Sequence, residues 1–471
     1  MVRRNDQQIL YLMKKITRHS LLAISSREIA MAIVLPFRRL WQVRLAFLLI
    51  AIFTTSWSLA GQTCDCTDYI YLNDEDFNVV HKFRVNSADG SVMEIGDPWF
   101  DASIVAPGLA PHGVAGDLNG AIFIGQNFVG NNPIMKIGCT GNLIDAGAIP
   151  DLNHALTNMG SRDGIIYTTN DDEDVIAAYD QCTGALLGQI NVHGGGGEVS
   201  FWGYYQDDTN WYVVDRELNC VYTGSLDISL YTFPPTNEGT ELFCLDGVNR
   251  GMGLTRDADG NWYIVVRQGF SGGSNGVAIQ KYSPTGTLLA TINNDGDQGP
   301  NMGNGEADFW GARGIVYSPM SNLLYVSSLE NCISVFDTAL VQQSSLNIGN
   351  PAGGAPKGIG ILTECCPTNT MLAIDETICF SGTNETVFLQ ELIDCGSNGG
   401  ICEGTWTNTV TNSNFSFDDC ASTVTVSGAG CSTFELSSPG TNSNAQCPEF
   451  TITVEVCASA PPGNDTPTTT A

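Results

Sequence analysis

The sequence predicts an all-β protein, a six-bladed β-propeller followed by a small cystine-rich β-sandwich of the Ig-like class. Three observations support this prediction: a short unit recurs at the intervals typical of propeller blades, turn and strand signals follow most copies, and the composition changes after residue 366. The chain has 471 residues. This is longer than one ordinary domain, whereas a propeller contains about 300 residues in a single closed array of sheets, so a second domain is expected.

The recurring unit has four residues, with glycine or alanine in its third position. Its copies begin roughly 40 to 60 residues apart, close to the length of one propeller blade. They read PHGV at 111–114, NHAL at 153–156, FWGY at 201–204, NRGM at 249–252, ARGI at 312–315 and PKGI at 356–359.

Signals for three more strands accompany these units. Turns with Asp or Asn and Gly precede second strands, and glycine suits such hairpin turns because it accepts positive φ. Second strands are predicted at 121–125, 165–169 and 261–266, third strands at 175–179, 220–223, 277–282 and 332–336, and fourth strands after 139–141, 182–184 and 284–286. Four strands per unit is the content of a propeller blade.

The two ends of the array predict how the ring closes. The first unit has strand signals at 69–72, 79–84 and 90–95 but no inner strand, and the last copy has only an inner strand at 358–362. Together they make one complete blade. The ring therefore closes by pairing the early and late parts of the chain, which gives six blades.

All 16 cysteines follow residue 60, and an even number in an exported chain indicates disulfides rather than a metal site. A link across the closed ring removes about 4–5 kcal/mol of unfolded-state entropy for a loop of about 300 residues. Within one blade, Cys220 with Cys244 is the best pairing. The ring closure predicts disulfides within one further group, Cys64, Cys66, Cys365 and Cys366.

Residues 1–60 predict a secretory signal peptide with an extended basic leader. They contain nine of the 20 Lys and Arg residues, an apolar run at 45–53 and the cleavage signal SLA at 58–60. Met31 is a second candidate start, and an uncleaved signal anchor is the alternative. The predicted location is therefore secreted or at the cell surface, extracellular or periplasmic.

Composition predicts the remaining domain boundaries. The propeller occupies 61–366. From Pro367 onward the chain has no Lys or Arg and is rich in Thr, Ser, Asn, Gly and Cys, and alternating runs predict a β-sandwich at 367–458. The Pro- and Thr-rich residues 459–471 predict a tail.

The net charge of −30 excludes several partners. Nucleic acids and anionic membranes are bound mainly through Lys and Arg, which are scarce after the leader. No stable membrane insertion is expected after signal cleavage. The predicted partners are extracellular proteins or glycans.

The second position of the repeated unit carries the candidate ligand-binding residues. Inner strands surround the axis of a propeller, so these side chains are expected to form a cationic and aromatic ring at one end of it. Such a ring suits a carboxylate, a sulfate or an acidic sugar. The alternative is that these side chains cap strands or pair with neighbouring acids. The residues are His112, His154, Trp202, Arg250, Arg313 and Lys357.

The glycine pattern with its hairpin, over roughly residues 69–362, resembles NHL-repeat propellers and the related regucalcin-like lactonases and streptogramin lyase-like proteins. The sequence PHG at 111–113 is similar to the channel histidine element of the lyases. This resemblance implies His112 as a general base, with His154 as a second member. The lactonases hold a divalent metal with Glu, Asn and Asp, and Asn158 is the residue near the corresponding register.

Acidic segments at 74–76, 171–174 and 293–297 leave low-affinity calcium binding open, with solvated acidic loops as the alternative. No cofactor is predicted to be required, and no other metal is assigned. The sequence also lacks a Gly-x-Ser-x-Gly elbow, a phosphate loop and a His-Glu-x-x-His motif.

These observations favour a secreted or cell-surface recognition or adhesion module that binds protein or glycan ligands, with anionic glycans suited to the ring. The alternative is a propeller hydrolase or lyase that acts at the central channel, and a structural surface-layer component is a third hypothesis. Whether the protein is an enzyme stays open, with a binding role preferred.

Overall fold

The computed structural model describes residues 64–459 with gaps. The segments outside the description are 75–76, 97, 106–110, 117–121, 127–131, 139–140, 153–155, 171–173, 194–200, 247–248, 269–275, 295–310, 329–331, 349–355, 368–370, 380–384, 390–398, 402–404, 419–422 and 439–449. The predicted signal peptide and tail therefore lie outside the described residues, and both stay predictions.

The described part of the chain is all-β, as predicted. It has 33 strands and two short 3-10 helices, at Ala102–Ile104 and Ile228–Leu230. The first four strands belong to one sheet: β1 (Cys64–Asp74), β2 (Val79–Val85), β3 (Val92–Glu94) and β4 (Phe100–Asp101).

Five sheets of four antiparallel strands follow, each built from consecutive strands. They are β5 (Pro111–Gly116), β6 (Ile122–Gln126), β7 (Asn132–Ile137) and β8 (Leu143–Leu152); β9 (Leu156–Arg162), β10 (Ile165–Asn170), β11 (Val175–Asp180) and β12 (Leu186–Asn191); β13 (Phe201–Gln206), β14 (Asn210–Asp215), β15 (Cys220–Ser225) and β16 (Thr240–Cys244); β17 (Asn249–Arg256), β18 (Trp262–Gln268), β19 (Val277–Tyr282) and β20 (Leu288–Asn293); β21 (Ile315–Ser318), β22 (Leu323–Ser328), β23 (Cys332–Asp337) and β24 (Gln342–Asn347).

The predicted strands of these sheets are present, with ends that differ by one or two residues. The third strand predicted at 277–282 coincides with β19, and a fourth strand follows each of the three predicted turns, as β8, β12 and β20. The turn glycines adopt the expected left-handed backbone, with φ of +77° at Gly164 and +84° at Gly260. Local turn chemistry therefore sets these hairpins.

The early and late parts of the array share one sheet, as the strand count predicted. β25 (Pro356–Pro367) pairs antiparallel with β1 from Cys64 opposite Pro367 to Asn73 opposite Gly358. The sheet then continues through β2 to β3. Along this pairing β1 is buried from Asp68 to Asp74, whereas residues 360–363 of β25 are half-buried.

The first strands of the sheets lie side by side. β5 contacts β9, β9 contacts β13, and so on through β17 and β21 to β25, which also contacts β5. Glycine makes this approach possible, because a Cβ atom on Gly253 would lie 2.6 Å from the Arg313 carbonyl oxygen of the neighbouring sheet. A Cβ atom on Gly358 would lie closer still to the His112 carbonyl oxygen.

Asp68 ties the shared sheet together from its buried position on β1. Its Oδ1 accepts a hydrogen bond of 2.6 Å from the Thr363 hydroxyl on β25, and its Oδ2 accepts one of 2.5 Å from the Ser318 hydroxyl on β21. One carboxylate thus joins both ends of the array and the preceding sheet.

A buried ion pair lies on the same sheet. Lys82 Nζ on β2 lies 2.8 Å from Glu364 Oε1 on β25, and the Tyr71 hydroxyl on β1 donates to the same oxygen. Lys82 is fully buried, and its ammonium lies 4.4 Å from the centroid of the Tyr69 ring. Because burial removes water from both charges, each depends on the other for compensation.

The C-terminal region forms two further sheets that share one apolar core. Its strands are β26 (Met371–Cys379), β27 (Glu385–Phe388), β28 (Gly399–Ile401), β29 (Thr405–Val410), β30 (Phe415–Asp418), β31 (Thr423–Val426), β32 (Gly430–Ser438) and β33 (Phe450–Ser459). The first sheet has the order β26, β33, β32, β29 and the second β27, β31, β30, while the remaining strand β28 joins the shared sheet beside β25. The core includes Trp406, Phe434 and Ile452.

The cysteine predictions have different outcomes. The predicted Cys220–Cys244 disulfide is present, and Cys431–Cys457 is a second one. Cys66 is also in a disulfide, and the β1–β25 register places it opposite Cys365. The side chains of Cys64, Cys365 and Cys366 lie outside the description, so the pairing within that group stays a prediction.

Among the described residues, no helix is long and apolar enough to cross a bilayer.

Candidate ligand-binding site

Five of the six predicted ring residues lie at or just before the start of a first strand. His112, Trp202 and Arg250 are the second residues of β5, β13 and β17, and Arg313 stands two residues before β21. The sequence predicted these residues just before an inner strand, whereas four of the strands begin one residue before the ring residue and so include it. Lys357 is the second residue of β25, but its side chain is outside the description, as is the whole of His154.

Bulges redirect two of these side chains. The pairing between β13 and β14 shifts around Trp202, and the pairing between β5 and β6 shifts around His112 and Gly113. A bulge bends its strand and turns the extra residue out of the ladder. As a result His112 meets Trp202 edge to face, with ring centroids 5.8 Å apart and planes at 87°.

Two arginines pack on the Trp202 ring. The guanidinium carbons of Arg216 and Arg313 each lie 5.2 Å from a Trp202 ring centroid. This geometry gives cation–π attraction and holds both planar groups in fixed orientations. Arg216 comes from the turn after β14 and Arg313 from another sheet, so Trp202 joins two sheets.

Glu217 connects this pair to a third arginine. Its Oε2 lies 3.2 Å from Arg250 Nη2, and its Oε1 lies 3.5 Å from Arg216 Nε. We call this group the arginine–tryptophan cluster. It contains three guanidinium groups and one carboxylate, which two of the three contact, so its own members sum to a positive charge on a protein of net charge −30. Its members are His112, Trp202, Arg216, Glu217, Arg250 and Arg313.

The turn at residues 216–219 is held on both sides. Asp215 Oδ1 accepts hydrogen bonds from the backbone N–H groups of Glu217, at 2.7 Å, and Leu218, at 3.0 Å. Cys220 pairs with Asp215 across β14 and β15 and is joined by its disulfide to β16. Arg216 therefore projects from a fixed support.

Behind this turn, His193 lies between two carboxylates. Its Nδ1 is 3.1 Å from Asp174 Oδ2, and its Nε2 is 3.5 Å from Asp215 Oδ2. Asp215 is fully buried. Desolvation raises the pKa of Asp174 to about 6 and also raises the pKa of Asp215, and the charge of His193 opposes both shifts.

Asn73 is a further polar residue at this edge. It is fully buried on β1, and within the described residues neither of its amide atoms has a hydrogen-bond partner. Its Nδ2 lies 3.0 Å from where a Cβ atom on Gly358 would stand, beside the β5–β25 contact. A buried amide of this kind is suited to hold a water molecule or a ligand atom.

Sequence reasoning missed Arg216, Glu217, Asp215 and His193. One sequence signal for Asp215 was present: the strand next to the first strand of each of the six sheets ends in a polar residue. These residues are Asp74, Gln126, Asn170, Asp215, Gln268 and Ser328. The acidic segment at 171–174 was interpreted as a calcium or solvent-exposed loop, whereas its last residue pairs with His193.

The described residues offer two groups with metal-ligating atoms close together, Cys220 with Glu241 and Cys244, and Cys431 with Glu455 and Cys457. Their cysteines form disulfides and supply no thiolate. Calcium binding stays a prediction. The arginine–tryptophan cluster has the chemistry of an anion site, since guanidinium groups bind carboxylates and sulfates in two-point contacts.

No protein-family model and no curated protein sequence matches this chain. Similar solved structures include a nidogen–laminin complex, with a TM-score of 0.42 and 13% identity over 62% of this chain and 98% of that one. A virginiamycin B lyase from Staphylococcus aureus has a TM-score of 0.36 and 16% identity, and the match covers 55% of this chain and 84% of the lyase. A streptogramin B lyase has a TM-score of 0.36 and 15% identity, and the match covers 51% of this chain and 70% of the lyase. At these values we draw no functional conclusion from the similarities. Membership of the NHL-repeat or regucalcin-like proteins stays a prediction.

Proposed function

We propose that this protein is an exported recognition module that binds anionic ligands, above all acidic glycans, at the arginine–tryptophan cluster. The supporting observation is that three guanidinium groups gather near the start of the first strands: Arg216 and Arg250 contact Glu217, and Arg216 and Arg313 pack on the Trp202 ring. Positive charge concentrated on an acidic body attracts anions and directs them to that edge.

The architecture in this proposal is a six-bladed propeller joined to an Ig-like β-sandwich. The consecutive contacts of the first strands and the β1–β25 pairing support ring closure. The two C-terminal sheets around one core support the sandwich. Two disulfides support an oxidising, extracellular compartment.

The proposal is tested by measuring binding of the full chain to sulfated heparin oligosaccharides and to oligogalacturonides by calorimetry. Arg250→Ala with Arg313→Ala is expected to weaken binding at least tenfold, because each charge-assisted hydrogen bond contributes about 1.5–3 kcal/mol. Arg162→Ala with Arg256→Ala is the matched control. These arginines end β9 and β17, so they lie at the opposite ends of first strands, and Arg256 also packs on a tryptophan ring.

Equal weakening in the cluster variant and the control would contradict the proposal, as would failure of the wild-type protein to bind either probe. Turnover of a lactone or a cyclic depsipeptide that is lost in His112→Ala would favour the enzymatic alternative instead.

A further inference from the structure

The 216–219 turn connects the surface cluster to buried charges. Asp215 holds the turn through its Oδ1, and its other oxygen faces His193. His193 in turn faces Asp174, which precedes β11 in the adjacent sheet. A chain of four contacts thus runs from Asp174 through His193, Asp215 and the turn to Arg216 on the Trp202 ring.

Two carboxylates and one aromatic ring face His193 among the described residues. Asp174 lies beside it from the start of β11 and Asp215 from the end of β14, and the Tyr222 ring of β15 packs on it with centroids 5.2 Å apart. Farther out, Glu238 acts on Asp174 and Glu241 on Tyr222. His193 therefore lies between the fully buried carboxylate of Asp215 and the half-buried carboxylate of Asp174.

Resting on the proposed function, we propose that His193 and Asp215 are positioning residues for the arginine–tryptophan cluster and that protonation of Asp174, which faces His193, raises the affinity of the cluster for anions. His193 lies between the two carboxylates, and Asp215 fixes the turn that carries Arg216 and Glu217. A negative charge on Asp174 repels Asp215 and competes for His193, which loosens this support.

The direction of the pH effect follows from the charge of Asp174. Burial raises the pKa of Asp174 to about 6, so lowering the pH through this value neutralises the carboxylate, and the group becomes less negative while Asp215 keeps its contact with His193. This change favours an anion at the cluster. Affinity for a sulfated heparin oligosaccharide is therefore expected to rise as the pH falls from about 7 to about 5.

The test compares this pH profile in the wild-type protein, His193→Gln, Asp215→Asn and His112→Gln. His193→Gln is expected to change the pH dependence of affinity by about threefold or more, within the range of couplings in one ion-pair network. Asp215→Asn keeps an oxygen that accepts from the turn but removes the charge, so it is expected to flatten the profile while the turn stays formed. His112→Gln tests the other histidine of the site. A profile that is unchanged in His193→Gln but lost in His112→Gln would overturn the proposal.

A second measurement separates this proposal from the proposed function. Trypsin cleavage after Arg216 at neutral pH, quantified by mass spectrometry relative to cleavage after Arg162, reports on the turn without any ligand. His193→Gln is expected to raise this ratio about threefold or more. If the wild-type protein binds no anionic probe but the ratio rises, the proposed function fails while the positioning role holds. An unchanged ratio in a folded variant overturns the positioning role.

Discussion

The buried Lys82–Glu364 pair offers a direct test of how the array closes. The two residues are 282 positions apart in sequence, and they meet only because β25 pairs with β1 beside β2. Lys82 is fully buried and Glu364 nearly so. Lys82→Met removes the ammonium but keeps a flexible side chain of similar length among the aromatic rings.

The expected cost is large because the carboxylate stays behind. Breaking a buried pair by removing one partner costs about 3–5 kcal/mol in free energy of unfolding. In Lys82→Met with Glu364→Gln no charge remains, and the amide oxygen of Gln still accepts from the Tyr71 hydroxyl. Burial and the nearby carboxylate raise the pKa of Tyr71 well above its usual value, so Tyr71 stays a donor. The double variant is therefore expected to regain about 2–3 kcal/mol of the loss.

The assay is urea unfolding of the oxidised protein, monitored by tryptophan fluorescence, for the wild-type protein, the two single variants and the double variant. Arg162→Ala serves as a control, since its partly exposed pair with Asp163 is expected to contribute less than about 1 kcal/mol. A loss below about 1 kcal/mol in Lys82→Met, or additive losses in the double variant, would refute the reasoning that this pair joins the two ends of the array.

Two further predictions concern other parts of the fold. Gly253→Ala is expected to destabilise the protein by about 1–3 kcal/mol, because the new Cβ atom meets the Arg313 backbone carbonyl oxygen at 2.6 Å. In the control Gly116→Ala the new Cβ atom meets only the Leu362 side chain, at 3.3 Å, so a smaller loss is expected. Thermal unfolding of both variants checks this, and equal losses would contradict it. Burial raises the pKa of Asp174 in the folded state to about 6, above its ordinary value of 3.8. Between these pH values the folded state binds more protons than the unfolded state, so the free energy of unfolding of the wild-type protein should fall as the pH rises from about 4 to about 6. Asp174→Asn should flatten this part of the stability profile in urea titrations, and an unchanged slope would show that Asp174 does not cause it.

Much of the strand order was predictable because turn chemistry is local. Glycines at 164, 260 and 286 need a left-handed backbone, and the apolar runs beside them have the alternation of strands. The long-range pairing of β1 with β25 was predictable only by counting strands, since each end alone lacked part of a blade. The Cys220–Cys244 disulfide followed from the same blade assignment.

The site was predictable only in part, because its contacts join separate sheets. The shared register identified His112, Trp202, Arg250 and Arg313, but nothing local indicates that Trp202 would lie in a bulge between two guanidinium groups. The role of Asp215 depends on a turn hydrogen bond and on a histidine from the neighbouring sheet. Neither relation produces a periodic signal in the sequence.

The repeated unit explains how packing and binding residues are kept apart. Its third position is glycine or alanine because first strands approach each other there, so a larger residue would meet a neighbouring strand, as at Gly358 and the His112 carbonyl oxygen. At His112, Trp202 and Arg250 the second position lies beside this close contact, at the second residue of its strand. Its side chain can therefore change from His to Trp or Arg without altering the approach of the strands. The same glycines that bring the sheets together thus leave these three side chains near one another, which is why a strongly acidic protein has a basic cluster there.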